Sequence, residues 1–133
     1  VAANAHLLKY DSVHGRFPNP IHITETTIDV GTGPIVLLAE PNPEKLPWRP
    51  YTVDLVLECS GHFTNREKAA KHLQAGAKRV LISAPAENAD ITVVYGVNHT
   101  QIQKEHLILS NASCTTNCLA PLAAVLHKTV GIE

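Results

Sequence analysis

The chain has 133 residues, and its 11 Lys and Arg nearly balance its 12 Asp and Glu, giving a formal net charge of −1 at pH 7. This balance excludes the basic stripe typical of nucleic-acid binding, and no run of like charges indicates a charged tail. With 44% hydrophobic and 17% charged residues, the chain is expected to bury a core. The longest nearly unbroken apolar stretch, residues 118–126, is about half as long as a membrane-spanning helix, so we expect a soluble protein with no membrane contact.

The cysteine content indicates a reducing compartment. Cys59, Cys114 and Cys118 are an odd number at low density, which argues against a secreted disulfide framework. The first residues lack the basic and apolar regions of a signal peptide. We therefore expect a cytoplasmic protein, and the absence of methionine suggests that the chain is an internal piece of a longer one.

The first fifty residues are predicted to hold little regular structure. Turn-forming residues dominate 1–20, and apolar alternation in 21–40 predicts two or three short strands with a turn at 31–34. The prolines of 41–50 are expected to exclude regular structure from the loop that contains Trp48.

The remainder alternates strands and helices. Thr64 and Glu67 form a predicted capping box for a helix that ends near Ala75, with Gly76 as its left-handed cap. A second helix is predicted from Ser113 to about Thr129. Strands are predicted at 54–59, 79–83, 91–97 and 107–110. This order is typical of an α/β fold with a parallel sheet, to which 21–40 would be an insertion or an edge.

The strongest chemical signal is Cys114 at the start of the last predicted helix. Helix N-termini offer unpaired N–H groups and a positive dipole end, which favour the thiolate form of a cysteine. A thiolate is a nucleophile for covalent catalysis, and the adjacent amides could hold an oxyanion. The hydroxyls of Ser113, Thr115 and Thr116 suit an anion such as phosphate.

Simpler interpretations of the cysteines remain open. Ser113 is also a common type of helix cap, and Cys114 could be a small buried residue, as free cysteines usually are. For Cys118, one turn further on the apolar helix face, we favour that inert, buried role. The Cys-x3-Cys spacing lacks the second ligand pair of a structural zinc site, so no metal is predicted.

Two turns follow predicted parallel strands where ligands of open α/β sheets collect. They are Ser60-Gly61 and Ser83-Ala84-Pro85, and with Cys114 they predict one crevice. The glycine-rich fingerprints of phosphate cradles are absent from the sequence. Among the eight histidines, His62 and His99 are the best placed to face a cleft, although we favour solvated loop roles for both.

At residues 110–121, Ser-Asn-Ala-Ser-Cys-Thr-Thr-Asn-Cys-Leu-Ala-Pro, the sequence resembles the active-site motif of phosphorylating glyceraldehyde-3-phosphate dehydrogenases. Segments 8–15, 72–80 and 95–99 resemble this family in the same order. The similarity covers essentially the whole chain. The related erythrose-4-phosphate dehydrogenases share the core of the motif, but Leu119-Ala120-Pro121 looks more like the glyceraldehyde-3-phosphate enzymes.

The resemblance implies roles for individual residues. It implies that Cys114 attacks the aldehyde carbonyl, that hydride passes to NAD, and that inorganic phosphate cleaves the resulting thioester to 1,3-bisphosphoglycerate in glycolysis. Ser113 and Thr115 match phosphate-binding residues of the family. The matching cofactor contacts are Pro41, Ser60, Gly61, Phe63 and Ser83. Many members have Arg-Asp where this chain has Pro41-Asn42, so a backbone contact could persist there and a side-chain contact could not.

The resemblance also implies parts that lie outside this sequence. These are an opening βαβ unit of a Rossmann domain with its glycine-rich loop, a catalytic histidine, and most of the substrate domain. Residues 1–113 would then be an incomplete dinucleotide-binding domain, and 114–133 the start of the catalytic domain. NADP is not excluded as cofactor, because the ribose-reading acidic residue is not in the sequence, and a homotetramer is implied.

Two alternatives to a glyceraldehyde-3-phosphate enzyme stay open. One is erythrose-4-phosphate dehydrogenase, and the other is a non-catalytic binding module made of these 133 residues. Residues 1–133 by themselves are expected to be inactive. The intact mass of the natural protein would separate enzyme from module, since a mass about three times that of 133 residues would exclude the module.

Overall fold

The computed structural model describes residues 1–132, and its internal contacts divide the chain into two compact units. The first unit, Val1–Pro41, holds a helix, a hairpin and a small antiparallel sheet. Its elements are α1 (Ala2–Lys9), β1 (Tyr10–Asp11), β2 (Gly15–Arg16), β3 (His22–Ile23), β4 (Thr27–Asp29) and β5 (Pro34–Val36). The short strands predicted within 21–40 are confirmed, in the order β3-β4-β5.

The turns predicted within residues 1–20 are confirmed in the second half of that stretch, at 12–14 and 18–19, but the first half holds α1, which the sequence did not indicate. The helix begins at Val1 without a side-chain cap, and only Ala5 is buried. It therefore lacks both the start signal and the apolar stripe by which a helix is found in a sequence. Alanines at positions 2, 3 and 5 supply the helix propensity instead.

The second unit, from Asn42 onward, is an α/β layer built on a four-stranded parallel sheet. The strand order is β6-β7-β9-β8, and every pair is parallel. The α/β prediction is confirmed. The elements are β6 (Leu55–Glu58), α2 (Arg66–Gln74), β7 (Arg79–Ile82), β8 (Ile91–Thr92), β9 (Ile108–Ser110) and α3 (Cys114–Val130), with 3₁₀ turns at Pro43–Lys45 and His99–Gln101.

The core of this unit lies between the sheet and α2. Val80, Ile82 and Ile108 are fully buried, and Ala69 of α2 packs against them. On the opposite face, side chains of β6 stay open, with Leu57 62% exposed. In residues 1–132, β6 is an edge strand, and a cleft of about 570 Å³ lined by β6, Trp48 and His72 runs beside it.

Helix α2 begins one residue later than the capping box predicts. Asn65, not Thr64, is the N-cap, and its Oδ1 accepts from the Lys68 N–H at 2.9 Å. This moves Glu67 to the second helical position, where it cannot complete the predicted box. The predicted end is confirmed, because Gly76 has φ +112° directly after the C-cap, and a Cβ there would meet Arg49 at 2.7 Å.

Two other segments differ from their predicted structure. The strand predicted at 91–97 stops at Thr92, because the Asn98 amide accepts from the Val94 N–H at 2.8 Å and donates to the Thr92 carbonyl at 2.9 Å. These bonds turn the chain away from the sheet. The proline-rich loop is not wholly irregular, since Pro43–Lys45 forms a 3₁₀ turn capped by the Asn42 side chain.

Helix α3 begins after Ser113 and ends at Gly131, which has φ +78°, so both predicted limits are confirmed. Its apolar side is open in the described chain, with Leu122 and Val125 exposed. The boundary predicted at Cys114 between two domains stays a prediction, and Glu133 lies outside the described residues. None of the helices in residues 1–132 combines the length and apolar character needed to cross a bilayer.

A partly buried carboxylate, Asp90, ties the start of β9 to the preceding loop. Asp90 Oδ2 accepts from the backbone N–H groups of Leu107 and Ile108 at 2.8 and 2.9 Å, and Arg66 pairs with Oδ1. Burial opposes ionisation of Asp90, but the N–H groups of Ile108 and Leu107 and the Arg66 charge outweigh it, so the pKa of Asp90 is lowered.

We predict that Asp90→Asn lowers the free energy of unfolding of the full-length protein by about 1–3 kcal/mol at neutral pH, since hydrogen bonds to a charged acceptor are lost. A lowered pKa stabilises the fold above the unfolded-state pKa, and this contribution disappears as pH falls through the folded-state pKa. The difference in free energy of unfolding between wild type and variant, measured by urea unfolding, should therefore become smaller as the pH is lowered.

Asp54→Asn is the control, because the Asp54 side chain is 77% exposed and its surface pair with Lys78 contributes only about 0–1 kcal/mol. Equal effects of the two substitutions would contradict this account.

Candidate active site and cofactor turn

Parallel pairing brings the ends of three strands to one edge of the sheet. The Ser83 N–H donates to the Glu58 carbonyl at 3.0 Å, and the Asn111 N–H donates to the Ile82 carbonyl at 2.9 Å. The turns after β6, β7 and β9 therefore lie side by side. The first two turns hold the predicted site residues Ser60, Gly61 and Ser83, and the third leads into Cys114. That these residues line one crevice stays a prediction.

Cys114 is the first residue of α3 and is exposed. The buried-residue interpretation of Cys114 was therefore wrong for the described chain. Its own N–H and that of Thr115 have no acceptor among residues 1–132, as expected for the first turn of a helix. The Thr116 N–H is satisfied by Ser113 Oγ at 3.0 Å. The thiol therefore lies beside two free amide donors.

The hydroxyls around the helix start form a cluster. Ser113 Oγ lies 2.8 Å from Thr115 Oγ1 and 2.7 Å from Thr116 Oγ1. Each of these two hydrogen bonds uses one hydroxyl hydrogen, so one of the three hydroxyls keeps its hydrogen for another acceptor. With the free amides of Cys114 and Thr115, the cluster presents donors that suit an anionic group.

The turn before Cys114 is held in an unusual conformation. Ala112 is buried and has φ +58°, a left-handed conformation uncommon for a residue with a side chain. Ser110 Oγ supports it by accepting from the Ala112 N–H at 3.1 Å and donating to the Ala84 carbonyl at 2.8 Å. Sequence reasoning placed Ser110 at the end of a strand and at the start of the family motif, but gave its side chain no role.

Asn117 closes the same turn from inside the helix. Its side-chain amide donates to the carbonyls of Asn111 and Ser113 at 2.7 and 3.0 Å. The segment from the end of β9 to the first turn of α3 is thus fixed by hydrogen bonds on both sides. This fixes the position of the Cys114 backbone, which is what a positioned nucleophile requires.

The other cysteines and histidines fall outside this arrangement. Cys118 was expected to be buried, but it is exposed, because the described chain packs nothing over that face of α3. His62 is exposed, and its N–H donates to Ser60 Oγ. His99 accepts from the Gly96 N–H through Nδ1 at 3.0 Å and lies 4.5 Å from the Tyr95 ring. Neither histidine hydrogen-bonds the Cys114 thiol.

The turn after β6 is open on its outer side. Ser60 and Gly61 are exposed, Gly61 has φ +77°, and a Cβ on Gly61 would meet no atom within 4 Å. The Phe63 ring is half-buried and packs edge-on against His72 with ring centroids 6.0 Å apart. The predicted cofactor contact Pro41 is exposed and closes the first unit. The second unit thus offers a turn that an extended ligand can approach closely.

A buried polar network behind this turn was missed by sequence reasoning. Glu58 and His72 are only 6% and 4% exposed, and His72 Nε2 lies 2.9 Å from Glu58 Oε2. His72 Nδ1 accepts from Trp48 Nε1 at 3.1 Å. His72 is 14 positions from Glu58 and 24 from Trp48 in the sequence. No local spacing motif therefore indicates that these residues meet. A glutamate ending an apolar strand beside a serine was the available signal.

Comparisons with known proteins agree with this fold. Residues 1–66 match the model of the glyceraldehyde 3-phosphate dehydrogenase NAD binding domain. The chain is 62% identical over its whole length to the glyceraldehyde-3-phosphate dehydrogenase of Xanthobacter flavus, of which it covers 40%. It is 57% identical over 99% of its length to that of Pseudomonas aeruginosa and 56% identical over 96% to that of Geobacillus stearothermophilus, covering 40% and 38% of those proteins.

The chain therefore has an α/β fold and contains part of a Rossmann-type NAD-binding domain. It belongs to the glyceraldehyde-3-phosphate dehydrogenase family. It spans about two fifths of the length of the curated relatives that it matches.

All three cysteines are exposed, so accessibility alone would label them similarly. We predict that in the full-length protein iodoacetamide alkylates Cys114 much faster than Cys59 or Cys118, because only Cys114 lies at the start of a helix beside free N–H groups, which stabilise a thiolate. Cys118, one turn along the same helix, is the internal control. Peptide mass spectrometry during labelling measures the three rates, and equal rates would count against a specially activated Cys114.

Proposed function

We propose that this chain forms the cofactor-binding and nucleophile-bearing part of an NAD-dependent, phosphorylating glyceraldehyde-3-phosphate dehydrogenase. The observation that carries the proposal is Cys114 at the start of α3, beside free amides and at the same sheet edge as the Ser60-Gly61 and Ser83 turns. The family model and the relatives' names support the same activity.

In this proposal Cys114 begins the reaction. Its thiolate attacks the aldehyde carbon of glyceraldehyde 3-phosphate and forms a thiohemiacetal, while the carbonyl oxygen takes the negative charge. The free N–H groups of Cys114 and Thr115 belong to the same helix start as the thiol and would stabilise that oxygen. The group that accepts the thiol proton comes from outside this sequence, as the family resemblance implies.

NAD supplies the hydride acceptor when bound. The exposed Ser60-Gly61 turn and Ser83 fit an extended dinucleotide, because they lie at the carboxyl ends of parallel strands, and Gly61 leaves open space for close approach. We assign further cofactor contacts to Phe63 and to the backbone of Pro41. Loss of hydride and of the hydroxyl proton leaves a thioester on Cys114.

Inorganic phosphate completes the cycle. A phosphate oxygen attacks the thioester carbonyl, the Cys114 thiolate leaves, and 1,3-bisphosphoglycerate is released. Ser113 and Thr115 belong to a hydroxyl cluster that keeps one hydrogen for an acceptor, and we assign them to phosphate binding. A homotetramer and a cytoplasmic location are part of the proposal through the family resemblance alone.

Cys114→Ser in the full-length protein should abolish aldehyde oxidation while leaving NAD affinity within about twofold, because a serine hydroxyl is a poor nucleophile at this position. Steady-state kinetics and calorimetric NAD titration measure the two effects. Cys118→Ser is the matched control on the same helix and should keep most of the activity. Comparable turnover by the Cys114 variant would exclude the thioester mechanism.

Substrate choice separates this proposal from its four-carbon alternative. We expect a higher kcat/KM for glyceraldehyde 3-phosphate than for erythrose 4-phosphate, with turnover accelerated by inorganic phosphate, since Leu119-Ala120-Pro121 and the relatives' names point to the three-carbon sugar. NADH formation with each sugar, with and without phosphate, measures this. Preference for erythrose 4-phosphate would transfer the assignment to the erythrose-4-phosphate enzymes.

A further inference from the structure

Behind the cofactor turn, the partly buried Trp48 and the buried His72 and Glu58 form a hydrogen-bonded chain that ends on Ser60. Trp48 Nε1 donates to His72 Nδ1 at 3.1 Å, and His72 Nε2 lies 2.9 Å from Glu58 Oε2. Glu58 Oε1 accepts from the Ser60 backbone N–H at 2.7 Å and from the Ser60 hydroxyl. The three residues come from the proline-rich loop, from α2 and from the end of β6.

The direction of each hydrogen bond between these side chains follows from the indole N–H of Trp48. An indole N–H can only donate, so His72 Nδ1 must be the acceptor, and the proton of a neutral imidazole then lies on Nε2. That proton faces Glu58 Oε2. Trp48 thereby fixes the histidine tautomer, and the histidine becomes a donor to the carboxylate.

Glu58 in turn takes both hydrogens that Ser60 can offer. Burial opposes ionisation of Glu58, but hydrogen bonds from the Ser60 hydroxyl, His72 and the Ser60 N–H outweigh it, so the pKa of Glu58 is lowered. The anionic form accepts at every one of these contacts. The Ser60 oxygen also accepts from the His62 N–H at 3.1 Å, which leaves it one lone pair and no hydrogen to donate.

We propose that Trp48, His72 and Glu58 are positioning residues that lock Ser60 as a hydrogen-bond acceptor in the dinucleotide-binding turn. In that state the Ser60 hydroxyl can accept from a hydroxyl of the cofactor and cannot donate to a phosphate oxygen. The proposal rests on the proposed function, since the turn must receive NAD. It concerns cofactor affinity, because none of the three residues is placed next to Cys114.

The first test replaces the acceptor. A glutamine at position 58 has one oxygen and one NH₂, so it must set a donor against either His72 or Ser60. In the full-length protein, Glu58→Gln should raise the Kd for NAD⁺ roughly tenfold, as expected for lost hydrogen bonds to a charged group. The aldehyde KM and the kcat at saturating NAD⁺ should stay within about threefold. Glu67→Gln, the same change at an exposed position of α2, is the matched control and should change the Kd less than about twofold.

The second test distinguishes positioning from packing. His72→Gln keeps one donor and one acceptor, whereas His72→Leu keeps neither at similar volume. We expect the glutamine variant to bind NAD⁺ within about threefold of wild type and the leucine variant to resemble Glu58→Gln. The double variant Ser60→Ala, Glu58→Gln should bind NAD⁺ no more weakly than Glu58→Gln alone. Both substitutions remove the same hydrogen bond between Ser60 and the residue at position 58.

Trp48→Phe removes the first hydrogen bond of the Trp48–His72–Glu58 chain and leaves the buried carboxylate of Glu58 in place. It should raise the Kd for NAD⁺ by roughly two- to tenfold. In ¹⁵N spectra, the wild-type His72 ring should show a proton on Nε2 alone, and the variant should lose that single tautomer. If the Glu58 and His72 variants fail to fold, the NAD⁺ affinity of Trp48→Phe tests the proposal in their place.

Two outcomes overturn the inference and are distinguishable. If wild type binds NAD⁺ and folded Glu58, His72 or Trp48 variants bind it equally well, or lose kcat or aldehyde affinity instead, the positioning role is wrong while the proposed function stands. If wild type itself does not bind NAD⁺, the proposed function fails, and the inference fails with it.

Discussion

The parallel pairing of β6, β7 and β9 is the constraint on which the candidate site depends. Strands that run in one direction must end at one edge, and their connecting turns carry backbone groups that the sheet no longer pairs. Hydrogen bonds from Ser83 to the end of β6 and from Asn111 to the end of β7 continue the ladder past the last paired residues. This extension sets the spacing between the cofactor turn and the segment that leads into Cys114.

Each of these turns is stabilised by a side chain behind it. Glu58 holds Ser60 from within the core, and Ser110 and Asn117 hold the left-handed turn at Ala112. Burying such groups is unfavourable unless their hydrogen bonds are satisfied. In the described residues every buried side-chain polar atom has a partner. The polar groups beneath the site are therefore well paired, while those that face outward at Cys114 and Thr115 keep free donors.

Much of this arrangement could be predicted from the sequence, where local rules apply. The strands before Ser60 and Ser83, the glycine after α2 and the helix start at Ser113 each rest on apolar runs or on a turn or cap residue nearby in the chain. The resemblance around Cys114 then gave the chemistry. Helix α1 was not predicted because it has neither a side-chain cap nor a buried apolar stripe. The early end of β8 was not predicted because the side chain of Asn98, six residues further on, hydrogen-bonds the Thr92 carbonyl.

The Trp48–His72–Glu58 chain could not be predicted for a different reason. Its members are brought together only when α2 packs on β6 and the proline-rich loop folds against both. Sequence reasoning considered His62 and His99 because loops are where functional histidines often lie, yet His72 within α2 has the polar partners. Tertiary contacts between distant residues carry no local pattern.

The most direct test of the account traps the covalent intermediate. The full-length protein is incubated with NAD⁺ and glyceraldehyde 3-phosphate without inorganic phosphate, quenched in acid and mapped by peptide mass spectrometry. We predict a 3-phosphoglyceroyl group on the peptide that contains Cys114, and on Cys114 within it, which disappears when phosphate is added before the quench. Acylation of Cys59 or Cys118 instead, or no acylated peptide in the phosphate-free sample of a preparation that turns over once phosphate is supplied, would contradict the central claim that Cys114 is the nucleophile at this sheet edge.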